Sequence, residues 1–173
     1  MAKKFNLREF QTNLSRQLQA ATTRETAFSR LGFQVGKGNW LVALDHAEEV
    51  IPVPTIIPVP GTQRWFRGMA NIRGNLFAVS DFSDFLTGVP TPDNSSCRLV
   101  IAHHQFGVNV ALLVSCTLGL KNASLYRSQD ASPDKPWIAQ KYKDDAEQEW
   151  IDLNFPALLK DAEFMKVEAD ARG

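Results

Sequence analysis

The chain has 173 residues, which suits one domain or two small barrels that share an interface. Lys plus Arg and Asp plus Glu both number 19, so the formal charge is zero, and the clustered basic excess of a nucleic-acid-binding protein is missing. Two cysteines are too few for a disulfide framework. Because neither a signal peptide nor an apolar run of roughly 20 residues is present, we predict a cytoplasmic protein that does not insert into a membrane.

Residues 1–30 predict an N-terminal helical extension and a linker. A stripe of apolar residues at helical spacing comprises Leu7, Phe10, Leu14 and Leu18. Asn6 and Glu9 are placed like a capping box ahead of this stripe. Such an amphipathic helix either packs on the domain or docks on a partner, and the sequence leaves both possibilities open.

From Leu31 the apolar period changes to two, which predicts β-strands. Phe33 and Val35 lead into the turn 36–39, and the alternating residues that follow complete a hairpin. Four prolines then interrupt the segment 52–60, so any strand there should be irregular or lie at a sheet edge. Residues 31–88 are therefore predicted to form most of a first barrel.

A Pro- and Ser-containing loop after Gly88 predicts the boundary between two halves. Strand patterns at 98–102 and 108–114, followed by three further candidates at 117–120, 137–142 and 150–153, predict that 97–153 forms most of a second barrel. The helical period returns from Asn154, with a proline in the first turn, and predicts a C-terminal helix over 154–170.

The stretch Phe66–Phe82 combines a turn, a strand and a stop signal. Gly74 directly after Arg73 predicts a sharp reversal into a buried strand, because glycine takes positive φ without steric cost. Arg73, next to Ile72, is expected to be partly buried and to need a carboxylate partner. We predict that Glu49 supplies it, as a structural ion pair that also shapes a partner-binding groove.

These residues also carry a family resemblance. The motifs Phe33-x-Val-Gly, Glu49-Val-Ile, Val59-Pro-Gly, Phe66-Arg-Gly-Met-Ala-Asn-Ile-Arg-Gly and Val79-Ser-Asp-Phe occur in this order. In order and spacing they resemble the CheW family of chemotaxis adaptor proteins. The resemblance covers roughly Leu31 to Leu159, and we predict a CheW-like domain over 31–170. The N-terminal extension and the divergent second half are more similar to the PilI type, the adaptors of type IV pilus (twitching) chemosensory systems. The resemblance implies an all-β, CheW-like fold of two five-stranded SH3-like β-barrel subdomains, with an N-terminal and a C-terminal α-helix.

The resemblance further implies a non-catalytic adaptor without cofactor or metal. Its partners would be the regulatory domain of a CheA-type histidine kinase and the cytoplasmic tip of a methyl-accepting chemoreceptor, at receptor arrays on the membrane. The receptor tip would lie in an apolar groove between the barrels, with further contacts from 108–114. The groove residues carried over from the family are Val42, Leu44, Ala47, Glu49, Ile72, Arg73, Leu76 and Ala78.

Trp65 is a further candidate for partner binding, because it follows polar residues in a predicted loop and tryptophan often anchors interfaces. An alternative function is a generic peptide-binding β-barrel unconnected to chemotaxis.

The residue types also allow two alternative hypotheses, a hydrolase and a zinc site. A hydrolase would use the acid–base candidates His46, Glu48, Glu49, Asp81 and Asp84. A zinc site would use Cys97, His103, His104 and Cys116, although the paired C-x-x-C spacing is missing. Since no known catalytic motif is present either, the sequence favours neither a hydrolase nor a zinc site.

Overall fold

The computed structural model describes Arg16, residues 28–130 and residues 132–170. Within that part of the chain the fold is mainly β, which confirms the predicted fold class. The predicted N-terminal helix lies almost wholly outside the described residues. None of the described helices is both long enough and apolar enough to cross a bilayer.

Short strands account for most of the regular structure. They are β1 (Ser29–Val35), β2 (Gly38–Ala43), β3 (Ala47–Pro52), β4 (Ile56–Ile57), β5 (Phe66–Ile72), β6 (Asn75–Asp81), β7 (Arg98–Ala102), β8 (Val110–Val114), β9 (Cys116–Asn122), β10 (Arg127–Gln129), β11 (Ile138–Lys143) and β12 (Glu149–Leu153). The described helices are α1 (Phe82–Thr87), α2 (Phe155–Leu158) and α3 (Ala162–Met165).

The strands form two six-stranded sheets. The first has the order β10-β11-β12-β2-β1-β9 and the second the order β3-β7-β8-β6-β5-β4. Each sheet therefore contains five strands of five or more residues, as the fold prediction implied, plus one very short edge strand, β10 or β4. The prolines at 52–60 explain why β4 is so short, because proline cannot donate to the ladder.

The chain does not complete one sheet before it starts the other. Residues 31–88 give two strands to the first sheet and four to the second, and 97–153 give two to the second and four to the first. Each sheet contains one parallel pair in its interior, β12 with β2 in the first and β6 with β8 in the second. The loop after Gly88 therefore connects two strands of the second sheet.

Strands β7 and β8 are buried on both faces, which explains their unbroken apolar sequences. Val100 and Leu112 face the larger core, which lies between the two sheets. Leu99 and Leu113, on the opposite faces of the same strands, pack in a smaller core with residues of β5 and β6. These two strands therefore join both cores.

The first sheet places a charged pair on its other face. Arg30 and Asp152 lie on either side of β2, and the guanidinium Nε donates to the Asp152 carboxylate at 3.1 Å. Burial raises the pKa of the Asp152 carboxyl, and Arg30 offsets part of that rise. Fully buried Leu41 lies between them on β2.

The C-terminal segment is two short helices instead of the single helix predicted over 154–170. The side chain of Asn154 accepts from the N–H of Ala157 and caps α2, while Asp161 starts α3 in the same way. The helical pattern in the sequence continued through 159–161, where the chain turns so that Phe155 and Phe164 can both enter the larger core.

Candidate docking surface

The turn between β5 and β6 presents Arg73 to solvent. Arg73 and Gly74 both have positive φ, 53° and 85°, as a two-residue type I′ hairpin turn requires. The side chain of Asn71 stabilises the turn by accepting from the N–H of Gly74 at 2.9 Å. The reversal expected at Gly74 is therefore present, and Ile72, not Arg73, turns into the core.

Arg73 contacts Glu49 across the second sheet. The guanidinium Nη2 donates to Glu49 Oε2 at 2.8 Å. This hydrogen bond connects the β5–β6 turn to β3, which lies at one edge of the sheet. Because β5 lies near the other edge, the contact requires the sheet to curl. The Arg73 side chain is 76% exposed and that of Glu49 27%, so the expectation of a partly buried guanidinium is wrong. An exposed pair of this kind adds about 0–1 kcal/mol to stability, which leaves both charges available to a partner.

Not all of the groove residues are accessible. Leu76 is 56% exposed next to the Arg73 turn, while Leu44, Ala47 and Ala78 are half-buried. Val42 and Ile72 are buried in the two cores, so their assignment to a partner surface is corrected. The same correction applies to 110–114, all five of which are buried. In β2, β5 and β8 the apolar residues of the sequence therefore form the cores and not an interface.

Trp65 is not the exposed anchor that its polar sequence neighbours suggested. Its ring stacks on Phe164 with centroids 5.6 Å apart and meets the edge of Phe85 at 5.2 Å. It is partly buried against the larger core and holds α3 against the segment before β5. The sequence could not predict this contact, because Phe164 comes about a hundred residues later.

Two hollows in the surface lie away from the predicted groove. One of about 880 Å³ is lined by Trp40, Phe85 and Trp137 with lysines at its rim, and one of about 700 Å³ lies between the proline-rich segment and the loop before β7. None of the predicted groove residues lines either hollow.

The carboxylates considered for catalysis have structural partners. Asp81 is fully buried and accepts from the backbone N–H of Asp84, from Thr91 and from Arg67. Asp84 accepts from Arg64 at 2.6 Å. Because these acceptors are occupied within α1 and its surroundings, the arrangement does not place them with His46 or Glu48 as an acid–base set.

The residues considered for zinc do not come together as one group. Cys97 lies in the smaller core and Cys116 opens β9 in the other sheet. His103 and His104 follow β7, and the described residues bring Glu48 to them instead of a cysteine. Glu48 Oε2 accepts from the backbone N–H of His104 at 2.9 Å. This hydrogen bond is the largest cause of the lowered pKa of the Glu48 carboxyl.

The comparisons with known proteins agree with this architecture. The family model described as CheW-like domain matches residues 30–163. The chain belongs to the CheW-like domain family. A curated relative, Protein PilI of Pseudomonas aeruginosa, is 25% identical over 146 residues, which cover 82% of this chain and 80% of that protein. The predicted resemblance to the CheW family and its PilI type is thus confirmed.

A solved structure gives independent support for the CheW-like fold. The crystal structure of the scaffolding protein TtCheW from Thermoanaerobacter tengcongensis superposes with a TM-score of 0.68 at 15% identity. The match covers 81% of this chain and 92% of that chain. At this identity the likeness concerns the fold alone.

Proposed function

We propose that this chain is a non-catalytic adaptor that couples methyl-accepting chemoreceptors to a CheA-type histidine kinase. The observation that carries the proposal is the CheW-like domain, which spans residues 30–163. The likeness to Protein PilI supports a place in a chemosensory pathway that controls twitching through type IV pili. Such an adaptor acts in the cytoplasm, at receptor arrays on the membrane.

The proposed docking surface is the accessible remainder of the predicted groove. Leu76 supplies a large exposed apolar side chain, and the Glu49–Arg73 pair supplies opposite charges beside it. The other predicted groove residues, Leu44, Ala47 and Ala78, are half-buried. An apolar centre with a charged rim is the usual anatomy of a protein interface, and it suits either a receptor tip or a kinase domain.

An adaptor of this kind needs no active site. A protein that binds the active and inactive states of a kinase with different affinities shifts the equilibrium between them. The signal is then the coupling free energy between receptor binding and kinase binding, typically about 1–3 kcal/mol. The structural roles of the buried carboxylates Asp81 and Asp84 agree with this function.

The test is a calorimetric titration of the purified chain with the regulatory domain of the CheA-type kinase from the same organism. We expect a dissociation constant of about 1 μM or lower, which corresponds to roughly −8 kcal/mol. A second titration with a peptide hairpin from the tip of a chemoreceptor tests the other partner. If a folded chain binds neither protein, the adaptor function is rejected and a generic peptide-binding module becomes the better account.

A charge-reversal pair identifies the surface that is used. Arg73→Glu should weaken binding to one or both partners, because it places two carboxylates together at the charged rim of the surface. Arg127→Glu is the matched control, since Arg127 is also a mostly exposed arginine, 64% exposed, and forms an ion pair with Glu147 at the edge of the other sheet. Equal binding by the two variants would show that Arg73 is not part of the interface.

A further inference from the structure

Glu48, His103 and His104 form a cluster at a junction between the two sheets. Glu48 lies just after the chain passes from β2 of the first sheet to β3 of the second. His103 and His104 begin the connection between β7 and β8. One ligand atom from each of these residues lies within 4.8 Å of the other two.

The local backbone explains why these side chains converge. The pairing of β3 with β7 shifts register between Ala47 and Glu49, so Glu48 is the extra residue of a β-bulge. A bulge re-aims the side chain of the residue that it inserts. Here it turns the Glu48 carboxylate to the β7–β8 connection, where the rings of His103 and His104 stack with centroids 4.3 Å apart.

Backbone contacts hold the cluster in place. The N–H of His103 donates to the carbonyl of His46 at 3.0 Å, and the side chain of Gln105 donates to the carbonyl of Asp45 at 2.6 Å. The β7–β8 connection is thereby tied to the β2–β3 turn. Ligands on a scaffold fixed in this way lose little conformational freedom when they bind an ion.

We propose that Glu48, His103 and His104 bind a divalent transition-metal ion of the Zn²⁺ type. Two imidazole nitrogens and one carboxylate oxygen are a typical three-residue zinc ligand set, with further positions left for water. This revises the absence of metal expected from the sequence, which considered the histidines with cysteines instead of with Glu48. The proposal does not depend on the proposed function.

The distances allow the ion after a small side-chain adjustment. A tetrahedral ion with ligand atoms about 2.1 Å away holds those atoms about 3.4 Å apart. Here the three ligand atoms all lie within 4.8 Å of one another. The side chains of Glu48 and His104 are 43% and 75% exposed, so packing does not oppose this movement. His104 Nδ1 and Glu48 Oε2 now lie 3.0 Å apart, and an ion between them would replace their mutual hydrogen bond. A neutral His104 would then carry its proton on Nε2 and leave Nδ1 to bind the ion.

A bound ion would border the proposed docking surface. Glu48 lies between Ala47 and Glu49, which belong to that surface. Because the ion would link β3 to the β7–β8 connection, it would also stabilise the fold by mass action as its concentration rises above the dissociation constant. The zinc-binding test depends neither on this position beside the docking surface nor on the added stability.

The test is a calorimetric titration of the full chain with zinc chloride near pH 7.5, under reducing conditions. We expect one zinc ion per chain and no binding of magnesium at the same concentration, because imidazole ligands favour zinc. Glu48→Gln and His104→Gln should each weaken zinc binding by at least about tenfold, as loss of a ligand costs no less than loss of a supporting residue.

Two control variants separate this site from other zinc ligands. Glu147→Gln removes an exposed carboxylate elsewhere, and Cys116→Ser removes a thiol that could bind zinc by itself. Both should bind zinc like the wild type, and circular dichroism should show that every variant is folded. The proposal is overturned if the wild type binds no zinc, if Glu48→Gln and His104→Gln bind it unchanged, or if Cys116→Ser abolishes binding.

Discussion

Gly68 marks the closest approach between two backbones in the second sheet, and we predict that Gly68→Ala destabilises the protein by about 2–4 kcal/mol. A Cβ atom at this position would lie 2.0 Å from the carbonyl oxygen of Ile57 in β4, and φ at Gly68 is 127°. Positive φ alone costs an alanine about 1–2 kcal/mol. The remainder comes from β4, which must move and uncover the partly buried Ile56. Full burial of an isoleucine stabilises by about 1.5–3 kcal/mol, so this loss should be about 1–2 kcal/mol.

Gly74→Ala is the matched control for this prediction. Gly74 has a φ of 85°, but a Cβ atom there would meet nothing within 4 Å. It should therefore cost about 1–2 kcal/mol, from the dihedral angle alone. Urea unfolding followed by tryptophan fluorescence gives both free energies. If Gly68→Ala is no less stable than Gly74→Ala, the close approach of β4 does not determine the need for glycine.

Three further predictions concern charged groups. Glu49→Ala should lower the free energy of unfolding by less than about 1 kcal/mol, because its partner Arg73 is largely exposed; a loss of several kcal/mol would show that the pair holds the sheet together. Asp81→Ala should lower the free energy of unfolding by about 3–5 kcal/mol, because it leaves buried donors and the Arg67 charge without their acceptor. The exposed control Asp170→Ala should be nearly neutral. Equal urea midpoints for the two variants would contradict this account. Burial lowers the pKa of His46 below its ordinary value of 6.5, so the folded state favours the neutral imidazole. The stability that this preference provides is fully present above pH 6.5 and is lost as the pH falls below it. The urea midpoint should then decrease less between pH 7 and 5 in His46→Gln, and identical slopes would refute the role of His46.

The sequence by itself determined the local structure well. Alternating apolar residues predicted the β1–β2 hairpin. The stop signal before Phe82 predicted the end of β6, where the Asp81 side chain caps α1 by accepting from the N–H of Asp84. Gly74 after Arg73 predicted the turn before β6. These features depend on neighbours in the chain, through side-chain period, capping and glycine dihedral angles, so local sequence is enough to specify them.

The tertiary structure decided which predicted site residues are accessible. Val42 and Arg73 were both predicted to line the groove, yet Val42 is fully buried and Arg73 is mostly exposed. Trp65 is covered by Phe164 from the end of the chain, and the parallel pairing of β12 with β2 assigns the first hairpin to the sheet of the second half. The Glu48 bulge likewise depends on its register with β7. Such contacts join residues far apart in sequence, and their burial and register follow from how the two sheets close and not from any local pattern.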